Sequence, residues 1–380
     1  MAPPQLTDAP QSSTPQEWLS TLPGELCAQD TDLLGRVQLN CSDRGLMSVP
    51  QALSPNTEVL ILSHNSLTSV SLSSLKDLPQ LRNLDLSNNQ IAHFQADYRL
   101  PLERLDLSHN KLSVIPRLSS LARLEGLQLA SNAISALSDQ AFGGLGNLKD
   151  LNLQDNQIED ISGHAFDPLV QLKFLSLSSN RIQVLPPGSM DSLTGLETLD
   201  LSHNRISLIS EDLVKKSLEL VDLSLSGNRI QGLPNGVFDG LDTLRFLSLS
   251  SNQISLLPEL LLKHLDLAGL DLSRNRLTTI PQGFFEGKNL SFVFLHSNRW
   301  HCDCTVQYLT SWSAENNGNV YTERDIPDPK GFVCASPPEL QGTPVVRFPA
   351  RQLCQVLFTR SLLLIYPTLT ETRHRDRSGV

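Results

Sequence analysis

Six cysteines carry the first chemical signal: Cys27, Cys41, Cys302, Cys304, Cys334 and Cys354, with none between Cys41 and Cys302. An even set segregated to the two ends of a chain predicts disulfide stapling of the termini, and therefore an oxidising compartment. Zinc fits poorly, because Cys302-Asp303-Cys304 leaves one residue between its thiols where zinc pairs usually leave two to four, and no compact second pair follows. The histidines His64, His109 and His203 fall in the first, third and seventh units of a repeat described below. At about 4.8 Å per unit they stand roughly 10 and 20 Å apart, too far to share an ion. The chain contains no G-x-S-x-G, H-E-x-x-H or Walker loop. It is therefore expected to be non-enzymatic, with no cofactor, no metal and no small-molecule substrate.

The composition points to the framework that must hold these residues. Of 380 residues 39% are hydrophobic but only 5% aromatic, and leucine supplies nearly half of the apolar set, so one kind of side chain builds the core repeatedly. Forty acidic against 30 basic residues give a net charge of −10. That balance argues against general binding to nucleic acid or anionic membranes, which needs a basic footprint. Length alone suggests two or three domains, but a repeat voids that arithmetic.

The pattern L-x-x-L-x-L-x-x-N-x-L aligns Asn65, Asn89, Asn110, Asn132, Asn156, Asn180, Asn204, Asn228, Asn252, Asn275 and Asn298, at steps of 21 to 24 residues. Each unit is long enough for one short strand, a turn and a return segment. Leucines such as Leu199 and Leu201, or Leu247 and Leu249, alternate as inward residues of a strand, and turn signals such as Ser-His-Asn-Arg close it, so amphipathic helices do not fit. Each asparagine is placed to satisfy backbone groups that would be buried unpaired. Ten residues after four of the asparagines stand Phe142, Phe166, Phe238 and Phe285, with Leu75, Met190, Val214 and Leu262 at the same offset elsewhere, an apolar spine for the return side. Eleven stacked strands predict a curved parallel sheet about 50 Å long.

Stacking leaves the first and last units uncovered, so both ends need lids. Cys27 and Cys41 bracket a segment in which Val37 and Leu39 continue the alternation; a bridge closing a loop of about 15 residues contributes roughly 3 kcal/mol. At the other end Trp300 and Trp312, the latter in a short helix around Tyr308–Trp312, are placed to cover the last unit.

These features resemble the extracellular, typical-type leucine-rich repeat family with cysteine-rich flanking caps, over residues 27 to 354. The resemblance implies an α/β repeat solenoid with a parallel sheet on the concave face and a mostly irregular or short-helical convex side. It also implies the pairings Cys302–Cys334 and Cys304–Cys354. The expected organisation is a disordered, proline-rich leader 1–26, a cap 27–54, eleven repeats 55–299, a cap 300–354 and a tail 355–380. The simple two-cysteine first cap is most similar to secreted plasma members of the family, which implies a protein ligand or receptor and growth-factor signalling of the transforming-growth-factor-beta type.

The concave face is read from two columns, the residue before the first strand leucine and the residue between the two. They place Asp85, Arg104, Asp106, Asp150, Phe174, Asp200, Asp222, Phe246, Phe292 and Phe294 outward, as candidate protein-binding residues. Phe174 and Phe246 read as isolated aromatics, while Phe292 and Phe294 lie where the second cap could fold over them. Asp85, Asp106, Asp200 and Asp271 could attract a basic partner. Sequons at Asn289 and Asn40 predict glycosylation, more readily at Asn289 because Asn40 adjoins a bridge. The segment 1–26 lacks the basic and apolar regions of a signal peptide, and the apolar run Ser361–Tyr366 is too short to span a bilayer. The expectation is an extracellular, secreted glycoprotein whose chain starts downstream of its signal. The alternative is the ectodomain of an adhesion or innate-immune-type receptor truncated before its membrane span, the one case in which membrane association is expected.

Overall fold

A computed structural model describes residues 27–324 and 326–348. Each predicted L-x-L segment forms a three-residue strand, from Val59–Ile61 in the first repeat to Phe292–Phe294 in the eleventh. Together with Val37–Asn40 before them and Val320–Tyr321 after them they make one parallel stack. The register is constant: Leu39 faces Leu60, Leu60 faces Leu84, and so on to Leu270 facing Val293, a single buried column along the molecule. The result is a leucine-rich solenoid with few helices.

The asparagines weld each turn to the one before. Asn204 donates through Nδ2 to the carbonyls of Leu177, Leu201 and Ser202 at 2.9, 3.1 and 3.1 Å, and its Oδ1 accepts the Ile182 amide at 3.0 Å. The same scheme ties the first cap to the first repeat, where Asn65 accepts from Arg44 and Leu46 and donates to the Cys41 carbonyl. The residue before each asparagine turns left-handed, with φ of 53° to 57° at the non-glycine positions. That geometry, rather than ligation, accounts for His64, His109 and His203, which are all exposed.

The predicted spine is buried at all eight positions, with the Phe142 and Phe166 rings stacked at 6.0 Å. The convex side also carries two short parallel ladders that the repeat pattern did not announce, Ser69–Ser71 with His93–Gln95 and Ala136–Leu137 with Asp160–Ile161. In the second of these the Ser162 amide donates to the Leu137 carbonyl. Pro116, Pro186, Pro234, Pro258 and Pro281 stand at the position equivalent to Ser162 and have no N–H to give.

Cys27–Cys41 and Cys302–Cys334 are bridged. Cys304 is also disulfide-bonded, while Cys354, the partner expected for it, lies outside the described residues. At the first cap Ala28–Thr31 adds an antiparallel strand to Val37–Asn40, absent from the sequence reading because all four of its residues are exposed and show no apolar alternation. At the second, Trp300 is fully buried, donates its Nε1–H to the Leu295 carbonyl at 3.1 Å and meets Phe332 edge-on. Trp312, on the helix Gln307–Glu315, stacks on Phe285 at 4.1 Å and so continues the spine into the cap. Among the described residues no helix is long and apolar enough to cross a membrane.

A concave aromatic and acidic face

The ten residues assigned to the concave face are all at least partly accessible, but they do different work. The aspartates between the strand leucines serve the backbone. Asp85, Asp106, Asp200 and Asp271 each accept, through Oδ1, the amide two residues on, at 2.8 to 2.9 Å, from Ser87, Ser108, Ser202 and Ser273. Such a turn satisfies an amide where the strand ends. It gives these four aspartates a structural role in every partner-free state.

Asp150 and Asp222 occupy the other column. Asp150 is held by the Gln128 amide at 3.1 Å. The Asp222 carboxylate has no hydrogen bond or ion pair among the described residues, although it is half-buried. Burial first, and then the Asp200 carboxylate, push its pKa above the ordinary 3.8. Asp106 is raised likewise by burial, an effect to which the Asp85 charge adds and which its Ser108 hydrogen bonds oppose. A carboxylate that folding desolvates without compensation is a candidate binding group.

The aromatics are arranged differently from expectation. Asp222, Phe246, Gly269 and Phe292 stand side by side in one column of four successive strands. Gly269 is the gap that lets its neighbours meet: the Phe246 and Phe292 rings stack across it with centroids 5.8 Å apart and planes 5° apart. A methyl group at Gly269 would fall on the Phe292 ring and 3.0 Å from Cδ1 of Phe246. Phe246 is thus not isolated, although it remains 38% exposed. Phe174 is half-buried, flanked in register by Asp150 and Thr198. Arg104 lies along Gly126 in the same way that Phe292 lies along Gly269.

Nor does the second cap cover Phe292 and Phe294. Its strand Val320–Tyr321 joins the edge of the sheet, so Tyr321 stands beside them, 6.1 Å edge-on to Phe292 and 5.7 Å from Phe294. Both phenylalanines stay partly accessible. His296, buried beneath this patch with its ring edge-on to Phe294, was missed by the sequence reading; burial lowers its pKa despite Glu323, whose carboxylate is 3.7 Å away. Tyr321 was missed because the cap has no repeat to place it. Asn289 is exposed, as a glycan acceptor must be. Asn40 has its Oδ1 engaged by the Ser42 amide and hydroxyl at 3.0 and 2.7 Å. Among the described residues no three His, Cys, Asp or Glu side chains come together as a metal group.

Stacked aromatics and an uncompensated carboxylate thus lie together on the concave side of a leucine-rich solenoid. The chain belongs to the leucine-rich repeat family: its models match residues 50–97, 101–121 and a nearly continuous series from 122 to 269. Leucine-rich repeat proteins mediate protein–protein interactions. Among curated proteins, platelet glycoprotein Ib alpha chain of Canis lupus familiaris is 36% identical over 95 residues, 25% of this chain and 14% of that protein. Transforming growth factor beta activator LRRC32 of Mus musculus is 41% identical over 102 residues, 25% of this chain and 15% of that protein. The matches span less than a sixth of either relative. Among solved structures, a chain of the octameric complex of latrophilin 3, Unc5D and FLRT2 (LRR) superposes with a TM-score of 0.56 at 24% identity, covering 84% of this chain and 96% of that one. This last similarity speaks for the fold.

Proposed function

We propose that the protein is a non-enzymatic extracellular binding module that captures a protein ligand or receptor on the concave face, at its carboxy-terminal half. The observation that carries this reading is the exposed Phe246–Phe292 stack beside the partnerless Asp222 carboxylate. Aromatic anchors with two stiff torsions bind at low entropic cost and dominate interface energies. The Cys27–Cys41 and Cys302–Cys334 disulfides fit an extracellular setting. The partial similarity to a transforming growth factor beta activator, together with the resemblance to leucine-rich alpha-2-glycoprotein in the simple first cap, favours a ligand of the transforming-growth-factor-beta pathway.

The test is surface plasmon resonance against transforming growth factor beta in its latent and mature forms, alongside cross-linking capture from serum. Phe246→Ser with Phe292→Ser should weaken the captured interaction at least about thirtyfold, from hot-spot losses of 2 kcal/mol or more, while the circular dichroism spectrum stays unchanged. Phe174→Ser should cost less. Equal affinity for the double variant and the parent would move the site off this face.

The raised carboxyls also fix a pH dependence. In the free protein, burial favours the protonated forms of Asp222 and Asp106. A basic partner favours the ionised forms, so complex formation releases protons, and affinity should fall as pH drops from neutral through the raised carboxyl range. Asp222→Asn should flatten that profile. In the free protein the sign reverses: the penalty on the ionised carboxyl is present above the raised pKa, so Asp222→Asn should leave stability at pH 7 unchanged or slightly higher. A steep pH profile that survives Asp222→Asn, measured by titration from neutral pH down through the range where the parent loses affinity, would assign the proton to another group.

A further inference from the structure

The edge of the sheet beyond the asparagine ladder carries a second pattern. The residue after the asparagine is Arg181, Arg205, Arg229, Arg276 or Arg299 in five of the last six repeats, and every one is exposed. Their amides make the same rung-to-rung bond, to the carbonyls of Ile158, Ile182, Ile206, Ile254 and Leu277 at 2.8 to 2.9 Å, and Gln253 fills the single gap with the same bond. The five side chains therefore rise from equivalent points along one edge of the stack. At about 4.8 Å per rung the row is about 24 Å long.

The repeat itself does not require arginine here. In the first five repeats the same position holds Ser66, Gln90, Lys111, Ala133 and Gln157. Over the last six repeats the residues one before, three after and four after the asparagine include no Asp or Glu; they include His203, and Arg274, which pairs with Glu323 of the second cap at 3.1 Å. Among the described residues none of the five arginines forms an ion pair. By contrast Arg82, Lys149, Lys173 and Arg245, one residue before their strands, each pair with a carboxylate of a neighbouring repeat. A one-signed row on a chain of net charge −10 is a strong segregation of charge.

We propose that this row binds a sulfated glycosaminoglycan, laid along the edge with its sulfates on successive rungs. Guanidinium forks take anionic oxygens two at a time, and a linear row matches a linear polyanion. The disulfides place the fold in an oxidising compartment, where sulfated polysaccharide rather than nucleic acid is the abundant linear polyanion. This surface is separate from the concave face, so the two can be filled together.

The test uses the full chain and a size-defined heparin oligosaccharide, by calorimetry at 0.15 M salt and by elution from immobilised heparin. Arg181→Gln, Arg205→Gln and Arg229→Gln together should weaken binding about tenfold and lower the eluting salt. The charge-matched control Arg99→Gln, Arg117→Gln and Arg123→Gln together, on exposed arginines outside the row, should not. Phe246→Ser with Phe292→Ser should leave heparin binding intact, which separates failure of this site from failure of the concave one. Equal losses in the row and control variants would overturn the assignment. So would absence of heparin binding by the parent chain, or binding of desulfated heparin or a single-stranded oligonucleotide as tightly as heparin.

Discussion

Asn204→Ala should lower the unfolding free energy by about 3 to 4 kcal/mol, an unusually large effect for a polar side chain. The loss is unequal among the four hydrogen bonds. The Leu177 carbonyl also accepts from Asn180, and the Leu201 carbonyl from Asn228, so both keep a partner. The Ile182 amide has the Asn204 Oδ1 as its acceptor and would be left buried with none. An orphaned buried donor costs about 1 to 3 kcal/mol, and the weakened carbonyls and the cavity supply the rest. Asn204→Asp provides a sharper comparison, because it keeps the acceptor but turns the second oxygen toward three carbonyls. Its carboxyl should titrate high in the folded state, so this variant should gain stability as pH falls through that raised pKa, whereas Asn204→Ala should not. Urea midpoints at pH 5 and 7 measure both, and a loss below 1 kcal/mol for alanine would contradict the ladder account.

Trp300→Ala should cost about 3 to 5 kcal/mol, the range for truncating a buried aromatic. The indole fills the junction between the last repeat and the cap, contacting Phe332 and reaching the Leu295 carbonyl, and the Cys302–Cys334 bridge begins two residues later. Without it the eleventh repeat loses its lid and the cap loses its anchor. A solenoid is coupled between neighbours, so the damage should appear as fraying from the carboxy-terminal end. Hydrogen exchange should show early loss of protection in the strands Phe292–Phe294 and Val320–Tyr321, with Val59–Ile61 unaffected. Uniform loss along the whole chain would instead mean one indivisible unfolding unit.

The sequence made the strands, the ladder and the spine legible for one reason: each is a statement about equivalent positions, and the repeat supplies those directly. Leu60 to Val293 form one column because they share a place in the pattern. Contacts between columns, or across a missing side chain, need more. Phe246 and Phe292 are two repeats apart, and they touch because Gly269 removes the side chain between them. The glycine was visible, but its consequence depends on ring orientation. The acidic series read from the sequence, Asp85, Asp106, Asp200 and Asp271, forms turns, and the uncompensated carboxylate is Asp222, which was placed outward in the other column. The column marks that division in the sequence, since Asp85, Asp106, Asp200 and Asp271 stand between the strand leucines and end their strands, whereas Asp222 stands before the first leucine and begins its own. The caps were harder to read, since Tyr321 and the strand Ala28–Thr31 occur once and have no equivalents to align.

The Asn rungs also make the molecule modular in its history. Each turn is joined to the next by the same bonds, so duplication or loss of one whole unit by recombination preserves every junction it touches. Such an event between Asn180 and Asn252 would lengthen or shorten the arginine row by one step while leaving Phe292, Tyr321 and the second lid as they are. Reach along the edge and recognition at the carboxy-terminal end can therefore be inherited and selected separately.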